Sequence, residues 1–187
     1  MEPFPFEKKK PAVIAIDGMC GAGKSFFAGL LEKRFACAVI HMDDFFLPPE
    51  LRTEERRKEP GGNVDYDRFL AEIIDPLAYM REKGKSEELS YRRFDCSCMK
   101  FTREPVRLSA ADLFVIEGSY SLRTEFCSVY DLKIFLRCSA ETQKKRIIER
   151  SGADRYKAFR DLWIPLEEAY FEALKVPERA DLVLATD

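Results

Sequence analysis

The chain has few of the features that mark membrane proteins, nucleic-acid-binding proteins or zinc proteins. No apolar run approaches the ~20 residues that a membrane-spanning helix needs. The formal net charge is −2, which argues against general binding of nucleic acids. The N-terminus lacks the apolar core of a secretory signal, so we expect a cytoplasmic protein. The only histidine is His41, which excludes zinc sites that need two histidines.

Cysteine is present, but its pattern indicates free thiols. The chain has six cysteines, and in a cytosolic protein of this length free thiols are the usual state. Cys96 and Cys98 form a C-x-C pair, yet no second pair stands at the spacing of a zinc finger. Hydrophobic residues make up 46% and charged residues 34% of the 187 positions, as in a globular protein. We therefore predict a single domain over residues 1–187 without structural zinc.

One segment carries a clear chemical pattern. Residues 18–25 match the phosphate-binding motif G-x-x-x-x-G-K-[ST], with a β-branched run at 12–16 before it and a helical pattern after it. In this motif backbone N–H groups surround phosphate oxygens, the lysine reaches the β- and γ-phosphates, and the serine hydroxyl binds Mg²⁺. An ordinary strand-to-helix turn is the alternative. We assign binding of ATP to Gly18, Gly21, Ala22, Gly23, Lys24 and Ser25.

Apolar runs with β-like character alternate with helical stretches, which is typical of a parallel sheet covered by helices. The runs lie at residues 12–16, 38–42, 113–116, 132–136 and 182–184. We therefore predict a three-layer α/β P-loop NTPase fold, with helices on both faces of a parallel sheet and a lid like that of nucleoside-monophosphate kinases. Residues 48–110 do not continue the sheet and are assigned to an acceptor-binding insertion.

The lid is predicted at residues 141–160, where arginines and lysines are concentrated. Arg146 and Arg150 lie four positions apart, and so on one face of a helix. A solvated helix face would explain them equally well in an average protein. Beside a triphosphate, however, guanidinium groups are suited to clamp the charge that develops during phosphoryl transfer. The following Trp163 is expected to anchor the last helix in the core, and Glu167 to face the positive end of that helix.

Three consecutive β-like runs end in an acidic residue beside a turn: Asp17, Asp43 and Glu117. In open parallel sheets, ligands bind outside the carboxyl ends of the strands. Asp43 is predicted to accept the proton of an acceptor hydroxyl, and Glu117 to hold Mg²⁺ together with Ser25. Asp44 is the alternative to Asp43, and because adjacent side chains of an extended backbone point to opposite sides, we expect only one of them to face the reaction.

The ordered motifs resemble the uridine kinase / phosphoribulokinase / bacterial pantothenate kinase group, and most closely bacterial uridine kinase-like proteins. The resemblance rests on the phosphate loop, on HMDDFFLP, GGNVDYDRF and VIEGSY, and on the arginine-bearing helix after KIFL. It implies a P-loop kinase domain that uses ATP and Mg²⁺. By this resemblance, the catalytic residues are Asp43, Lys24, Arg146 and Arg150, the metal ligand is Glu117, and the acceptor-binding residues are Asp65, Tyr91 and Arg93. Asp67 competes with Asp65 for contact with ribose hydroxyls.

The chain departs from uridine kinases at the base-reading hairpin. Uridine kinases read the pyrimidine partly through a histidine in that hairpin, and this chain has FDCSCMKFTRE instead. His41 lies inside a predicted strand, where we expect a packed or solvent-facing role. Cys20 lies in the phosphate loop, so modification of its thiol would block nucleotide binding.

The sequence therefore predicts transfer of the γ-phosphate of ATP to a hydroxyl of a small molecule, with a nucleoside favoured. A pantothenate- or phosphosugar-type kinase and a P-loop ATPase or regulatory nucleotide-binding protein are the alternatives. No guanine-reading N-K-x-D segment is present, which argues against a GTPase. We expect no nucleic-acid or membrane partner. Related kinases form dimers or tetramers, so a homo-oligomer is an open alternative.

Overall fold

The computed structural model describes residues 10–187, apart from the side chain of Arg57. The strands are β1 (Ala12–Gly18), β2 (Cys37–His41), β3 (Leu89–Tyr91), β4 (Phe94–Asp95), β5 (Lys100–Phe101), β6 (Val106–Leu108), β7 (Leu113–Glu117), β8 (Leu132–Arg137) and β9 (Leu182–Ala185). The α-helices are α1 (Lys24–Arg34), α2 (Glu54–Lys58), α3 (Tyr66–Phe69), α4 (Asp75–Lys83), α5 (Ala140–Ser151), α6 (Ala153–Ala158), α7 (Ile164–Leu174) and α8 (Val176–Arg179). Short 3₁₀ turns occupy Met42–Phe45, Pro49–Leu51 and Thr124–Val129, and π-helical turns occupy Leu70–Ile74 and Phe159–Trp163.

A five-stranded parallel sheet in the order β2-β7-β1-β8-β9 forms the centre of the fold. The five predicted β-like runs correspond to these strands, so the predicted α/β class is confirmed. Every residue of β1 and β7 is buried, because both strands are central and covered on both faces. The sheet register sets Glu117 beside Ile16 on one side and beside His41 on the other.

Each face of the sheet has its own apolar layer. Side chains of β1 alternate between them: Val13 and Ala15 face the larger layer, while Ile14 and Ile16 face the smaller one. The larger layer packs against α3, α4, α7 and α8, and the smaller layer packs against α1. Helices therefore cover both faces, as the fold class requires.

The segment between β2 and β7 adds structure outside the sheet. A helical stretch is formed by α3, a π-helical turn and α4, and Pro76 is accommodated near the start of α4. The predicted hairpin is present, since β3 and β6 pair antiparallel, and a smaller hairpin of β4 and β5 extends from it.

The region after β8 is helical almost throughout. Helix α5 ends at Gly152, which has a φ of 86°, and α6 and the π-helical turn Phe159–Trp163 then lead into α7. Within the described part of the chain, no helix is both long and apolar enough to span a membrane.

Candidate active site

The phosphate-binding motif forms the turn between β1 and α1. Gly18 has a φ of 138°, and a Cβ atom there would lie 2.0 Å from the carbonyl oxygen of Leu136, so only glycine fits. Lys24 folds back over this loop, where its Nζ donates to the carbonyl oxygens of Gly18 at 2.6 Å and Met19 at 3.0 Å. The N-terminus of α1 directs its positive dipole end toward the same space. The loop thus combines an ammonium group and backbone donors, as an anion site needs.

Ser25 and Glu117 meet at the first turn of α1. The Ser25 Oγ lies 3.1 Å and 3.2 Å from the two carboxylate oxygens of Glu117. Gly118 follows β7 and packs closely against Met42. A Cβ atom at this position would lie 2.7 Å from the Cβ of Met42, so glycine is required there. A hydroxyl and a carboxylate are hard oxygen ligands that suit Mg²⁺, which ordinarily takes few protein ligands and completes its shell with phosphates and water. Among residues 10–187 no cluster of three or more His, Cys, Asp and Glu side chains could hold a metal.

His41 also contacts Glu117. Its Nδ1 lies 2.6 Å from Glu117 Oε1, and hydrogen bonding to that carboxylate is the main cause that raises the pKa of His41. The sequence interpretation, which gave His41 only a packed or solvent-facing role, missed this pairing. The signal was available in principle, because parallel runs that end together bring their last residues side by side.

The two adjacent aspartates face different surroundings, because the chain turns into a 3₁₀ helix after β2. Asp43 is exposed on the wall of a cleft, and Asp44 is buried. Asp44 accepts a hydrogen bond from the Tyr91 hydroxyl at 2.9 Å and forms an ion pair with the Arg93 Nε at 3.1 Å. Desolvation by the surrounding protein raises the pKa of the Asp43 carboxyl, and the nearby negative charge of Glu117 raises it further. Only Asp43 is therefore available to a ligand in the cleft.

The cleft has a volume of about 700 Å³ and brings most of the predicted site residues together. The phosphate loop, Asp43 and Glu117 line it on the sheet side, and Arg146 and Arg150 line it on the lid side. The Arg146 Nη1 lies 3.3 Å from the Gly21 carbonyl oxygen, while the Arg150 guanidinium lies 5.6 Å from the centre of the Phe159 ring. The cleft therefore brings basic groups together with the carboxylates of Asp43 and Glu117.

The three residues assigned to the acceptor by resemblance lie behind the cleft wall rather than on it. Asp65 caps α3 by accepting from the Arg68 N–H at 3.2 Å, and it also lies 3.6 Å from the Arg68 Nε. The polar groups of Tyr91 and Arg93 both contact the Asp44 carboxylate. Their contact with an acceptor stays a prediction.

Other side chains line the cleft around Phe46 and Trp163, and the sequence interpretation missed them. Trp163 was expected in the core, but it is partly exposed and lines the cleft. Its ring lies 6.2 Å from the ring of Phe46, with an interplanar angle of 31°. Arg52 and Tyr120 line the same side. Aromatic content alone does not distinguish such residues from core aromatics, so no local signal identified them.

Two buried carboxylates hold the phosphate loop from behind. Asp17, expected near the ligand, is instead enclosed: it accepts from the N–H groups of Gly18, Tyr120 and Leu122 and from the Tyr170 hydroxyl. Burial raises the pKa of Asp17 to about 6.

Glu167 was expected to face the end of its own helix. It is buried, and its Oε2 accepts from the Cys20 N–H at 2.8 Å, while its other oxygen accepts from the Ser119 hydroxyl. Cys20 itself is buried, and burial together with Glu167 raises the pKa of its thiol. Modification of Cys20 in the folded protein is therefore opposed by both its position and its protonation.

Comparison with known proteins agrees with this geometry. Residues 13–163 match the model of the Phosphoribulokinase / Uridine kinase family. A uridine kinase of Latilactobacillus sakei subsp. sakei (strain 23K) is 22% identical over 161 residues, which span 83% of this chain and 74% of that protein.

Two solved structures share the fold. A structure described as a possible uridine kinase from Bacillus stearothermophilus has a TM-score of 0.69 at 23% identity, covering 96% of this chain and 91% of that one. A candidate fructose transport system kinase from Silicibacter sp. TM1040 has a TM-score of 0.71 at 20% identity, covering 97% and 93%. These identities support the fold alone, whereas the family model spans most of the sequence. The chain therefore belongs to the phosphoribulokinase / uridine kinase family, a family of small-molecule kinases.

Proposed function

We propose that the protein transfers the γ-phosphate of ATP to a hydroxyl group of a small molecule, and that the acceptor is a nucleoside. The observation that carries this proposal is the convergence of Lys24, Ser25, Glu117 and Asp43 on one cleft. A nucleotide-binding protein without transfer activity would not need an exposed carboxylate opposite the phosphate loop. Asp43 supplies that carboxylate.

In the proposed reaction, the loop N–H groups and Lys24 hold the β- and γ-phosphates. Ser25 and Glu117 would hold Mg²⁺, which would neutralise charge on the phosphate oxygens. Asp43 accepts the proton of the acceptor hydroxyl, whose oxygen forms a bond to the γ-phosphorus while the bond to ADP breaks. The raised pKa of Asp43 makes it a stronger base than an ordinary aspartate, and such a base contributes about 10²–10⁴-fold to a rate. Arg146 and Arg150 lie on the lid side, where they would stabilise the transferring phosphoryl group.

A planar base fits the aromatic side of the cleft. The rings of Phe46 and Trp163 line the cleft, and base–aromatic stacking is worth about 1–3 kcal/mol. The nucleoside assignment is supported by these rings and by the family, since a relative named uridine kinase matches most of the chain.

One observation favours a second candidate, an acceptor with a negative group such as pantothenate or a phosphosugar. Arg52 lines the acceptor side, where its Nε donates to the Leu47 carbonyl oxygen at 2.7 Å. No carboxylate of residues 10–187 pairs with this guanidinium within 4.0 Å. An unpaired arginine on a cleft wall is suited to bind a carboxylate or phosphate of a ligand.

ADP release by purified protein tests both candidates. We would supply Mg²⁺·ATP with nucleosides, pantothenate or phosphosugars in separate assays, each with the parent and with Asp43→Asn. Acceptor-dependent release that is lost in Asp43→Asn supports the kinase, and the active acceptor decides between the candidates. Arg52→Gln should weaken only a negatively charged acceptor. ATP hydrolysis that needs no acceptor and persists in Asp43→Asn would contradict the proposal.

A further inference from the structure

His41 is placed beside Glu117 by the register of the central sheet. The two residues are direct partners at the carboxyl ends of the neighbouring parallel strands β2 and β7. Neighbouring strands lie about 4.8 Å apart, so side chains that leave partner positions on one face come within contact distance. The observed separation of Nδ1 and Oε1 is 2.6 Å. The contact thus follows from backbone register and does not depend on a flexible loop.

The chemistry of the two groups determines which of them donates the hydrogen bond. An ionised carboxylate only accepts hydrogen bonds, so the His41 Nδ1 carries the proton and donates it to Glu117 Oε1. Glu117 is almost fully buried, with 6% of its side chain exposed, whereas 49% of the His41 side chain is exposed. Ser25 Oγ contacts the same carboxylate from the other side. Glu117 is therefore held between a serine that faces the nucleotide and a histidine that does not.

His41 is not placed to react with a substrate. It lines a second cavity of about 910 Å³, which is bordered by α1 and by residues 107–112, and Ser25 lies between this cavity and the cleft. His41 contacts the site through Glu117, and its charge also acts through space on Asp43, where it lowers the pKa of that carboxyl. Groups that hold a metal ligand in place are typically worth 10–100-fold in metal affinity.

We propose that His41 is a positioning residue that fixes the Glu117 carboxylate in the orientation needed to bind the metal of a metal–nucleotide complex. This role rests on the proposed function, because it assumes that Glu117 contacts the metal. Without the Nδ1–H bond, Ser25 still contacts the Glu117 carboxylate, but one of the contacts that fix its terminal torsion is lost.

Calorimetric titration of ADP, with and without Mg²⁺, tests this role without any turnover. We compare the parent with His41→Ala, which removes the donor, and with His41→Asn, whose Nδ2 replaces the Nδ1 donor at the same distance from the backbone. Glu32→Gln is the control, because Glu32 lines the same second cavity without contacting Glu117. All four proteins should bind metal-free ADP with equal affinity.

We expect His41→Ala to weaken binding of Mg²⁺·ADP about tenfold. His41→Asn should restore most of this loss, and Glu32→Gln should behave as the parent. The role of His41 is refuted if His41→Ala binds Mg²⁺·ADP within twofold of the parent, or if His41→Asn is as weak as His41→Ala. If the parent binds ADP equally well with and without Mg²⁺, the proposed metal site itself is wrong.

Discussion

The two sides of the cleft are built in different ways. On the nucleotide side, Lys24 and Ser25 come from one short motif, and Glu117 reaches Ser25 because β7 lies next to β1. On the acceptor side, Phe46 follows β2 while Trp163 ends the π-helical turn after α6, and the centres of their rings lie 6.2 Å apart. The nucleotide side therefore depends on local pattern and sheet register, and the acceptor side depends on how distant segments pack. Changes on the first side should affect catalysis for any acceptor, and changes on the second should affect acceptor choice.

The largest effect is expected from Asp43→Asn. Loss of the base should lower kcat/KM by about 10²–10⁴-fold, while ADP binding and the free energy of unfolding stay close to the parent. The neighbouring Asp44→Asn is the matched variant. Because Asp44 is buried, accepts a hydrogen bond from Tyr91 and pairs with Arg93, this change should lower the free energy of unfolding by about 1–3 kcal/mol. Steady-state kinetics and urea unfolding should be measured for both variants. A loss of activity in Asp44→Asn alone would contradict the assignment of the base to Asp43.

Asp17→Asn should destabilise the fold. Donors reach both carboxylate oxygens of Asp17, whereas an asparagine amide has one accepting oxygen, so at least one buried donor would lose its partner. At pH 7, we expect the free energy of unfolding to fall by about 1–3 kcal/mol. Glu168→Gln, a conservative change at an exposed position of α7, is the control and should leave the free energy of unfolding nearly unchanged.

The same carboxyl predicts a pH dependence of stability. The folded-state pKa of Asp17 is raised from 3.8 to about 6, so the folded protein binds this proton more tightly than the unfolded chain does. The stabilisation that comes from binding this proton is fully present below pH ~4 and is lost as the pH rises through ~6. The stability difference between the parent and Asp17→Asn should therefore shrink by up to about 3 kcal/mol from pH 4 to pH 7. Urea unfolding at several pH values measures this, and a difference that grew with pH would contradict it.

Trp163→Leu should raise the KM of a nucleoside acceptor about tenfold and leave the KM of ATP nearly unchanged. Leu162→Ala is its control, since Leu162 is 49% exposed in the same helical turn and does not line the cleft. Trp163 is the only tryptophan, so its fluorescence should also change when the acceptor binds. If the KM of ATP rises and that of the acceptor does not, the aromatic side of the cleft has been assigned to the wrong ligand.

The smallest effect concerns the thiols. Cys96 and Cys98 are exposed, whereas Cys20 and Cys138 are buried and the pKa of each buried thiol is raised. Burial also raises the pKa of the Cys96 thiol, to about 11, so iodoacetamide should modify Cys98 first and Cys96 next, as followed by mass spectrometry. ATP should slow the modification of Cys96, which lines the cleft, more than that of Cys98. Early modification of Cys20 would show that the phosphate loop opens from Glu167 in solution.

Particular residues show how far sequence reasoning reached. The parallel sheet and its two covered faces were predicted from alternating apolar runs, because burial on both faces needs such runs. The meeting of Lys24, Ser25, Asp43 and Glu117 followed from strand ends at one edge of the sheet. Asp17 satisfied the same pattern of a run that ends in an acid, yet it is buried behind the loop. Sequence does not tell which way a side chain turns once its strand ends.

The amino-acid sequence by itself determined the family, the fold class and the nucleotide side of the cleft, because these depend on a contiguous motif and on hydrophobic periodicity. Tertiary structure alone decided three other features. It placed Trp163 against Phe46, it turned Glu167 onto the Cys20 N–H, and it set His41 against Glu117. The physical reason is that each of these contacts joins segments far apart in the chain, and their geometry is fixed only when the sheet register and helix packing bring those segments together.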